Sequence, residues 1–292
     1  MQLPFYINIL GKSSATPTAY SFPSSQLLMH NTQPYLLDCG EACQIRLRQM
    51  RLPMGKIRHI FISHVHGDHY FGLFGLLSTM DLMGRRSALH IFAPPKLKSL
   101  LAYVFNTGSQ MPSYPIVFHD LKHSEKRLVL ETRWLNVYAF PLKHGVSCYG
   151  FLFQEKQPFL KMRKDKIAAY DLDVSEIRLA KQGFDVERCN ERISVDEITE
   201  KPLPARSYAY CTDTAYYPQL AKWVEKVDVL YHEATFLEDM KSKPESYFHS
   251  TAADAAKIAA QAGAKKLLIG HFSTRYKDGN LFLEEARQKF PN

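Results

Sequence analysis

Residues 60–69 read Ile60-Phe61-Ile62-Ser63-His64-Val65-His66-Gly67-Asp68-His69. A short β-rich run ends abruptly at Ser63-His64, and a helical pattern begins soon afterwards, over residues 73–83. Between them stand three imidazoles and a carboxylate within six residues. Imidazole and carboxylate are the donors that suit zinc, manganese and iron. In an extended segment His64 and His66 point the same way. A turn at Gly67 then carries Asp68 and His69 toward a second, adjacent position, so one loop can feed two metals. A lone buried histidine is ordinarily a hydrogen-bonded core residue. Four ligand-type groups side by side repel or desolvate one another unless a cation holds them.

Two cations need further donors, and three later positions offer them. His144 follows Pro141-Leu142-Lys143, Asp213 follows Tyr210-Cys211-Thr212, and His271 follows Leu268-Ile269-Gly270. Each comes just after an apolar run, and strand-end donors converge when their strands are neighbours in one sheet. Asp213 is the only carboxylate of this later set. Its two oxygens suit a bridge between two cations.

Around these positions the pattern is strands first, then alternating strands and helices. Strands are expected over residues 5–10, 26–29, 35–37, 57–62, 89–92, 127–130, 134–140, 148–153, 207–211, 227–231 and 266–269. Helices are expected over 41–50, 73–83, 96–105 and 252–262. The last has Ser250 or Thr251 placed to cap it and Gly263 just past its end. This order suggests an α/β fold, sheet layers covered by helices. The chain reads as a single domain, 1–292. Its least readable part, residues 154–204, is an inserted arm or a solvated excursion. Its charge, with Lys161, Arg163, Lys164 and Lys166 followed by acidic residues 171–176, favours a solvated surface.

Composition sets the outer bounds. Of 292 residues, 46% are hydrophobic and 23% charged, enough to bury a large core without disulfides. Cys39, Cys43, Cys148, Cys189 and Cys211 are scattered, odd in number and form no CxxC pair. That argues against a disulfide framework or a zinc finger and for reduced thiols. No signal peptide is read at Met1–Phe5, and no apolar run is long enough to span a bilayer. A soluble, cytoplasmic protein is expected. The net charge of +8 attracts polyanions, although many basic proteins never touch nucleic acid.

The order His-x-His-x-Asp-His, then His, Asp and His, resembles the metallo-β-lactamase superfamily over nearly the whole chain. Finer motifs resemble its ribonuclease Z (tRNA 3′-processing endonuclease) branch. They are Phe61-Ile62-Ser63 through Gly72-Leu73, Asp38-Cys39-Gly40-Glu41, His232-Glu233-Ala234-Thr235-Phe236, His249-Ser250-Thr251-Ala252 and His271-Phe272-Ser273-Thr274-Arg275-Tyr276. The resemblance implies an αββα sandwich of the metallo-β-lactamase type with a dinuclear metal site at one edge. It implies a metal-dependent endoribonuclease that removes the 3′ trailer of precursor tRNA, and it suggests a homodimer.

Carried onto this sequence, His64, His66 and His144 bind one metal, Asp68, His69 and His271 the other, and Asp213 bridges. Zinc is the first expectation, with manganese or iron as alternatives. Water between two dications is acidified enough to attack phosphorus near neutral pH. Asp68 orients that water or takes its proton. His249 protonates or stabilises the leaving oxygen, and Glu233 fixes its tautomer. Ser273 and Arg275 are the candidates for holding a substrate phosphate, and Asp38 supports the ligand loop. Blander roles stand beside these: Glu233 as a helix cap or surface ion pair, His249 as a neighbour of a helix cap, Arg275 as structural. His30, His59, His90, His119, His123 and His232 read as ordinary.

Three departures touch substrate handling. Residues 154–204 lack the family's Gly-Pro-rich arm motif, Gly145 stands where an Arg usually follows the ligand histidine, and Phe22-Pro23 replace an Arg-Asn pair before Ser24-Ser25. They keep open a second reading, a phosphodiesterase acting on small molecules such as cyclic nucleotides with the same site.

Overall fold

The structure is a computed structural model and describes residues 3–108, 111–156, 159–188, 191–200, 203–240 and 248–292. One sheet takes its six strands in chain order: β1 (Phe5–Gly11), β2 (Ser25–His30), β3 (Gln33–Leu37), β4 (His59–Phe61), β5 (Leu89–Ala93) and β6 (Ile116–Asp120). β1 to β3 are antiparallel; β3 to β6 run parallel. A second sheet starts with β7 (Arg127–Glu131), β8 (Leu135–Pro141) and β9 (Tyr149–Glu155).

The chain then leaves that sheet. Residues 161–200 hold the short strands β10 (Lys161–Met162), β11 (Val186–Arg188), β12 (Glu191–Ile193) and β13 (Thr199–Glu200), paired two by two. Three short helices, Lys164–Ala169, Val174–Lys181 and Val195–Ile198, pack with them over Met162, Leu172, Ala180, Val186, Ile193 and Ile198. The segment thus has a small core beneath its charged surface, which composition alone did not suggest. Three of its four clustered cations are paired: Lys161 with Glu200 at 2.6 Å, Arg163 with Asp165 at 3.2 Å and Lys166 with Glu197 at 3.1 Å. Their charge is largely compensated locally, in keeping with a solvated surface.

The second sheet resumes with β14 (Ser207–Cys211), β15 (Val229–Glu233) and β16 (Lys266–Gly270), which run parallel to one another. Period-two alternation sorts each strand between two cores. In β4, Ile60 faces a helix layer while Phe61 faces the opposite sheet; Leu27 and Leu28 of β2 divide in the same way. Between the sheets lie Phe61, Phe92, Phe151, Phe153, Tyr208 and Tyr210. Helices Cys43–Gln49, Gly67–Leu82 and Lys96–Gly108 cover the first sheet. Helices Gln219–Trp223, Ala252–Ala262 and Asn280–Arg287 cover the second. The result is the αββα sandwich of the metallo-β-lactamase fold.

Helix Ala252–Ala262 has the expected bounds. Thr251 caps it reciprocally with Asp254, and Gly263 ends it in the left-handed region at φ 62°. The helix expected from residue 73 begins six residues earlier, at Gly67, with His66 as its cap residue. Asp68 and His69 therefore sit in its first turn, where an anionic side chain complements the helix dipole. Close approach there depends on glycine. A Cβ on Gly72 would stand 2.0 Å from the Gly40 carbonyl oxygen, so the helix and the Asp38-Cys39-Gly40 turn could not meet. They are also tied by hydrogen bonds from Cys39 N to His69 O (2.8 Å) and Gly72 N to Cys39 O (2.9 Å).

Direction of strands puts the functional residues together. β3 and β4 are parallel, so Asp38 and His64 leave the same edge of the first sheet. β8 is antiparallel to β9, which is antiparallel to β14. The C-terminal ends of β8, β14, β15 and β16 thus share one edge, and His144, Asp213, Glu233 and His271 lie at those ends. The edges of the two sheets are joined there by Tyr149 N donating to Ser63 O at 3.0 Å.

Cys39, Cys43, Cys148 and Cys211 are free and buried; Cys189 lies outside the described residues. Among the described residues, no helix is long and apolar enough to cross a membrane.

Candidate metal centre

At the shared edge the expected donors fall into two groups. His64 Nε2 lies 3.0 Å from His66 Nδ1, and His144 Nε2 lies 3.2 Å from that same atom. Asp213 Oδ2 faces this trio, 3.7 Å from His64 Nε2 and 4.0 Å from His144 Nε2. In the second group Asp68 Oδ2 is 3.3 Å from His69 Nε2 and 3.4 Å from His271 Nε2. Asp213 Oδ1 is 3.3 Å from His69 Nε2 and 3.2 Å from His271 Nε2. Each oxygen of Asp213 thus belongs to a different group. Donors around a tetrahedral zinc, at zinc–nitrogen distances of about 2.0–2.1 Å, stand about 3.3 Å apart; the second group's 3.2–3.4 Å matches this, and the first group's 3.0–4.0 Å spans it.

The chemistry of the donors fits cations as well. Among the described residues His69 Nε2 is buried without a hydrogen-bond partner, although two carboxylate oxygens flank it. Burial lowers the pKa of His64, and the neighbouring His69 lowers it further; burial also dominates for His66 and His144. Neutral imidazoles keep a lone pair for a metal. Burial also opposes charge on His69 and Asp213, but opposite charges outweigh it. Asp213, Asp68 and Asp38 raise the pKa of His69, while His271, His69 and His64 hold Asp213 well below the carboxylate range. Asp68 is held low against its burial in the same way, by His69 and His271.

The far side of each buried ring is also held. His69 Nδ1 is 2.8 Å from Asp38 Oδ2, His64 Nδ1 is 3.0 Å from Ser63 Oγ, and His271 Nδ1 is 2.9 Å from Thr235 Oγ1. His144 Nδ1 is 3.2 Å from the Phe248 carbonyl. Such partners fix ring orientation and tautomer in metal sites. Asp38 is fully buried and also accepts from Ser63 N (2.7 Å), Ser63 Oγ (2.9 Å) and Tyr210 OH (2.8 Å), so it ties both sheets to the ligand loop. Asp38 and His271 both adopt left-handed backbone, at φ 52° and 62°. Local strain of this kind clusters at functional sites. Thr235, Tyr210 and the Phe248 carbonyl were not expected from sequence, because only the folded packing gives them a role.

His249 stands beside the second group, stacked on His271 at 5.4 Å between ring centroids. Its Nδ1 is 2.8 Å from Glu233 Oε1. Burial opposes its protonation, but Glu233 and Asp213 prevail and raise its pKa to about 9. Glu233 is fully buried, not a surface ion pair, and accepts from Thr214 N (2.8 Å), Thr235 N (3.1 Å) and Thr235 Oγ1 (2.7 Å). With Nδ1 of His249 engaged, Nε2 is the atom left to face a substrate. Ser273 N donates to Thr235 O at 3.2 Å, and Arg275 is exposed on the same loop. Among the described residues, neither side chain bonds to the cluster. Of the histidines read as ordinary, His30 pairs with Glu155 at 2.9 Å, His90 Nδ1 meets His119 Nε2 at 2.9 Å, and His232, beside Glu233 in the chain, has its Nδ1 2.7 Å from the Glu233 carbonyl.

Ribonuclease Z of Bacteroides fragilis is 42% identical over 289 residues, covering 99% of this chain and 95% of that protein. The chain belongs to the ribonuclease Z family. Ribonuclease Z of Cytophaga hutchinsonii is 43% identical over 290 residues, covering 99% of this chain and 92% of that protein. Among solved structures, the short form of human tRNase Z matches with a TM-score of 0.71 and 25% identity, over 93% of this chain and 94% of that one. Residues 5–161 also fall within the family described as Anti-Pycsar protein Apyc1, and residues 199–272 match the beta-lactamase superfamily domain. One departure from the usual ribonuclease Z pattern has a visible structural setting. At Gly145 a Cβ would lie 3.6 Å from the ring of Phe248.

Proposed function

We propose that this chain is a metal-dependent endoribonuclease that hydrolyses a phosphodiester bond and removes the 3′ trailer of precursor tRNA. The observation that carries this reading is the paired donor set with Asp213 shared between its halves, beside the His249–Glu233 pair. Membership of the ribonuclease Z family supports RNA as the substrate. The His-rich donor set favours zinc. The family resemblance supports a homodimer at work in the cytoplasm.

In this reading His64, His66, His144 and Asp213 would hold one cation, and Asp68, His69, His271 and Asp213 would hold the other. When bound, the two cations acidify the attacking water and offset the negative charge that builds on the phosphoryl oxygens. Asp68, kept ionised by its neighbours, orients that water or accepts its proton. His249 enters protonated and gives the proton on Nε2 to the leaving oxygen. Glu233, held by three other donors, keeps the His249 ring oriented and charged. Ser273 and Arg275, on the loop after His271, would meet a substrate phosphate.

Asp38→Asn tests the support of the ligands. One amide oxygen cannot replace four acceptances, so His69 loses its anchor. Metal affinity is expected to fall by about 10–100-fold, measured by competition with a chromophoric chelator. Unaltered affinity would contradict the role given to Asp38.

The substrate is tested by incubating metal-loaded protein with a precursor tRNA bearing a 3′ trailer, a cyclic nucleotide and a chromogenic phosphodiester. His66→Ala serves as the control for contaminating nuclease. A single cut at the trailer junction, lost in the control, is the expected result. Turnover of the small diesters without RNA cleavage would instead support the small-molecule phosphodiesterase reading.

A further inference from the structure

Two exposed aromatic rings lie near His66 and His144, the less buried of the histidine donors. Phe71 is 50% exposed and belongs to helix Gly67–Leu82. Its ring lies against Gly67, where a Cβ would come within 2.3 Å of it. Gly67 joins His66 to Asp68 in the chain, one donor of each group. Phe248 is 37% exposed on the His144 side, with its ring centroid 6.5 Å from that of His144. It faces Gly145, which offers no side chain to compete for the space.

Phe248 also has a left-handed backbone at φ 55°, uncommon for a bulky residue. That conformation delivers its carbonyl to His144 Nδ1 at 3.2 Å and leaves its ring at the rim. Single exposed aromatic residues are ordinary surface features. A pair near the less buried donors, each packed against a glycine that adjoins a donor histidine, is a different arrangement. Single-stranded nucleotides are bound by stacking of their bases on such faces.

We propose that Phe71 and Phe248 are stacking platforms for the two nucleobases that flank the scissile phosphodiester. Holding both bases would splay the strand across the centre and set the phosphate between them over the donors. The proposal rests on the endoribonuclease reading and adds substrate-binding residues to it.

The test compares precursor tRNA with versions made abasic at either nucleotide flanking the cut. Each is given to wild-type protein and to Phe71→Leu, Phe248→Leu, Phe71→Trp and Phe248→Trp. The leucine variants keep the Phe248 carbonyl and an apolar side chain, and their metal content is measured alongside. On the intact precursor each leucine variant is expected to lose roughly ten- to a hundredfold in kcat/KM, mostly through KM. The loss shrinks when the base facing that ring is absent, and tryptophan restores cleavage. Equal losses on intact and abasic substrates, no loss at all, loss of metal, or failure of tryptophan to restore cleavage would each overturn the platforms. Wild-type protein that does not cut the precursor overturns the endoribonuclease reading, and the platforms with it. Wild-type cleavage with silent ring removal overturns the platforms alone.

Discussion

Asp213→Ala is expected to abolish cleavage of precursor tRNA, a loss of about a thousandfold or more, and to empty both halves of the centre together. The reason lies in its two oxygens. Oδ2 faces His64 and His144, while Oδ1 faces His69 and His271. Removing the side chain takes a donor from each group and the anion that offsets two dications. It also leaves His69 with fewer acids to balance it, since Asp213 is the strongest of the three carboxylates acting on that ring. His144→Ala makes the contrast, because His144 belongs to the first group alone. It should weaken one cation and leave the other in place. Metal analysis of the two variants checks this: loss of a single cation from Asp213→Ala would contradict the bridge.

His249→Ala is expected to retain both cations and still lose about 10²–10⁴-fold in kcat, the usual contribution of a positioned general acid. His249 donates from a charged ring, so activity should fall as pH rises through its pKa, which Glu233 and Asp213 raise against burial. Glu233→Gln removes the larger of those two fields. The protonated form then becomes harder to keep, and the alkaline limb of the kcat profile should move to lower pH. The sign separates two roles. If Glu233 merely braced the fold, the variant would lower stability and leave the limb where it was. An unmoved limb in a folded, metal-loaded Glu233→Gln protein would contradict the assigned pairing.

The centre was legible in sequence to the extent that local rules placed it. His64 to His69 follow a strand so closely that their spacing nearly dictates a shared site. His144, Asp213 and His271 were legible because each ends an apolar run, and β8, β14 and β16 do open onto one edge. Helix Ala252–Ala262 was legible to the residue, since Thr251 and Gly263 are local signals. The start of helix Gly67–Leu82 was misplaced because glycine is a poor helix former and its ligand side chains look like loop. Strand β6 and helix Asn280–Arg287 went unread. So did the folded character of residues 161–200, whose six core residues are spread through charged sequence.

The supporting groups were the least legible. Asp38 could be read as an aid to the ligand loop, but its bond from Tyr210 exists only because the two sheets face each other. Thr235 lies in a recognisable motif, yet nothing local says that its hydroxyl meets both His271 and Glu233. The Phe248 carbonyl is a backbone atom, and sequence gives it no identity. Motifs name donors, whereas the atoms that orient donors are fixed by tertiary packing.

RNA cleavage by this chain should require two cations that share Asp213. The most direct measurement is a titration of metal-free protein with zinc, scoring cleavage of a trailer-bearing precursor tRNA against equivalents bound. Cleavage, at one position at the trailer junction, is expected to reach its maximum only as the second equivalent per chain fills. Full cleavage with one equivalent bound, or none with two, would contradict it.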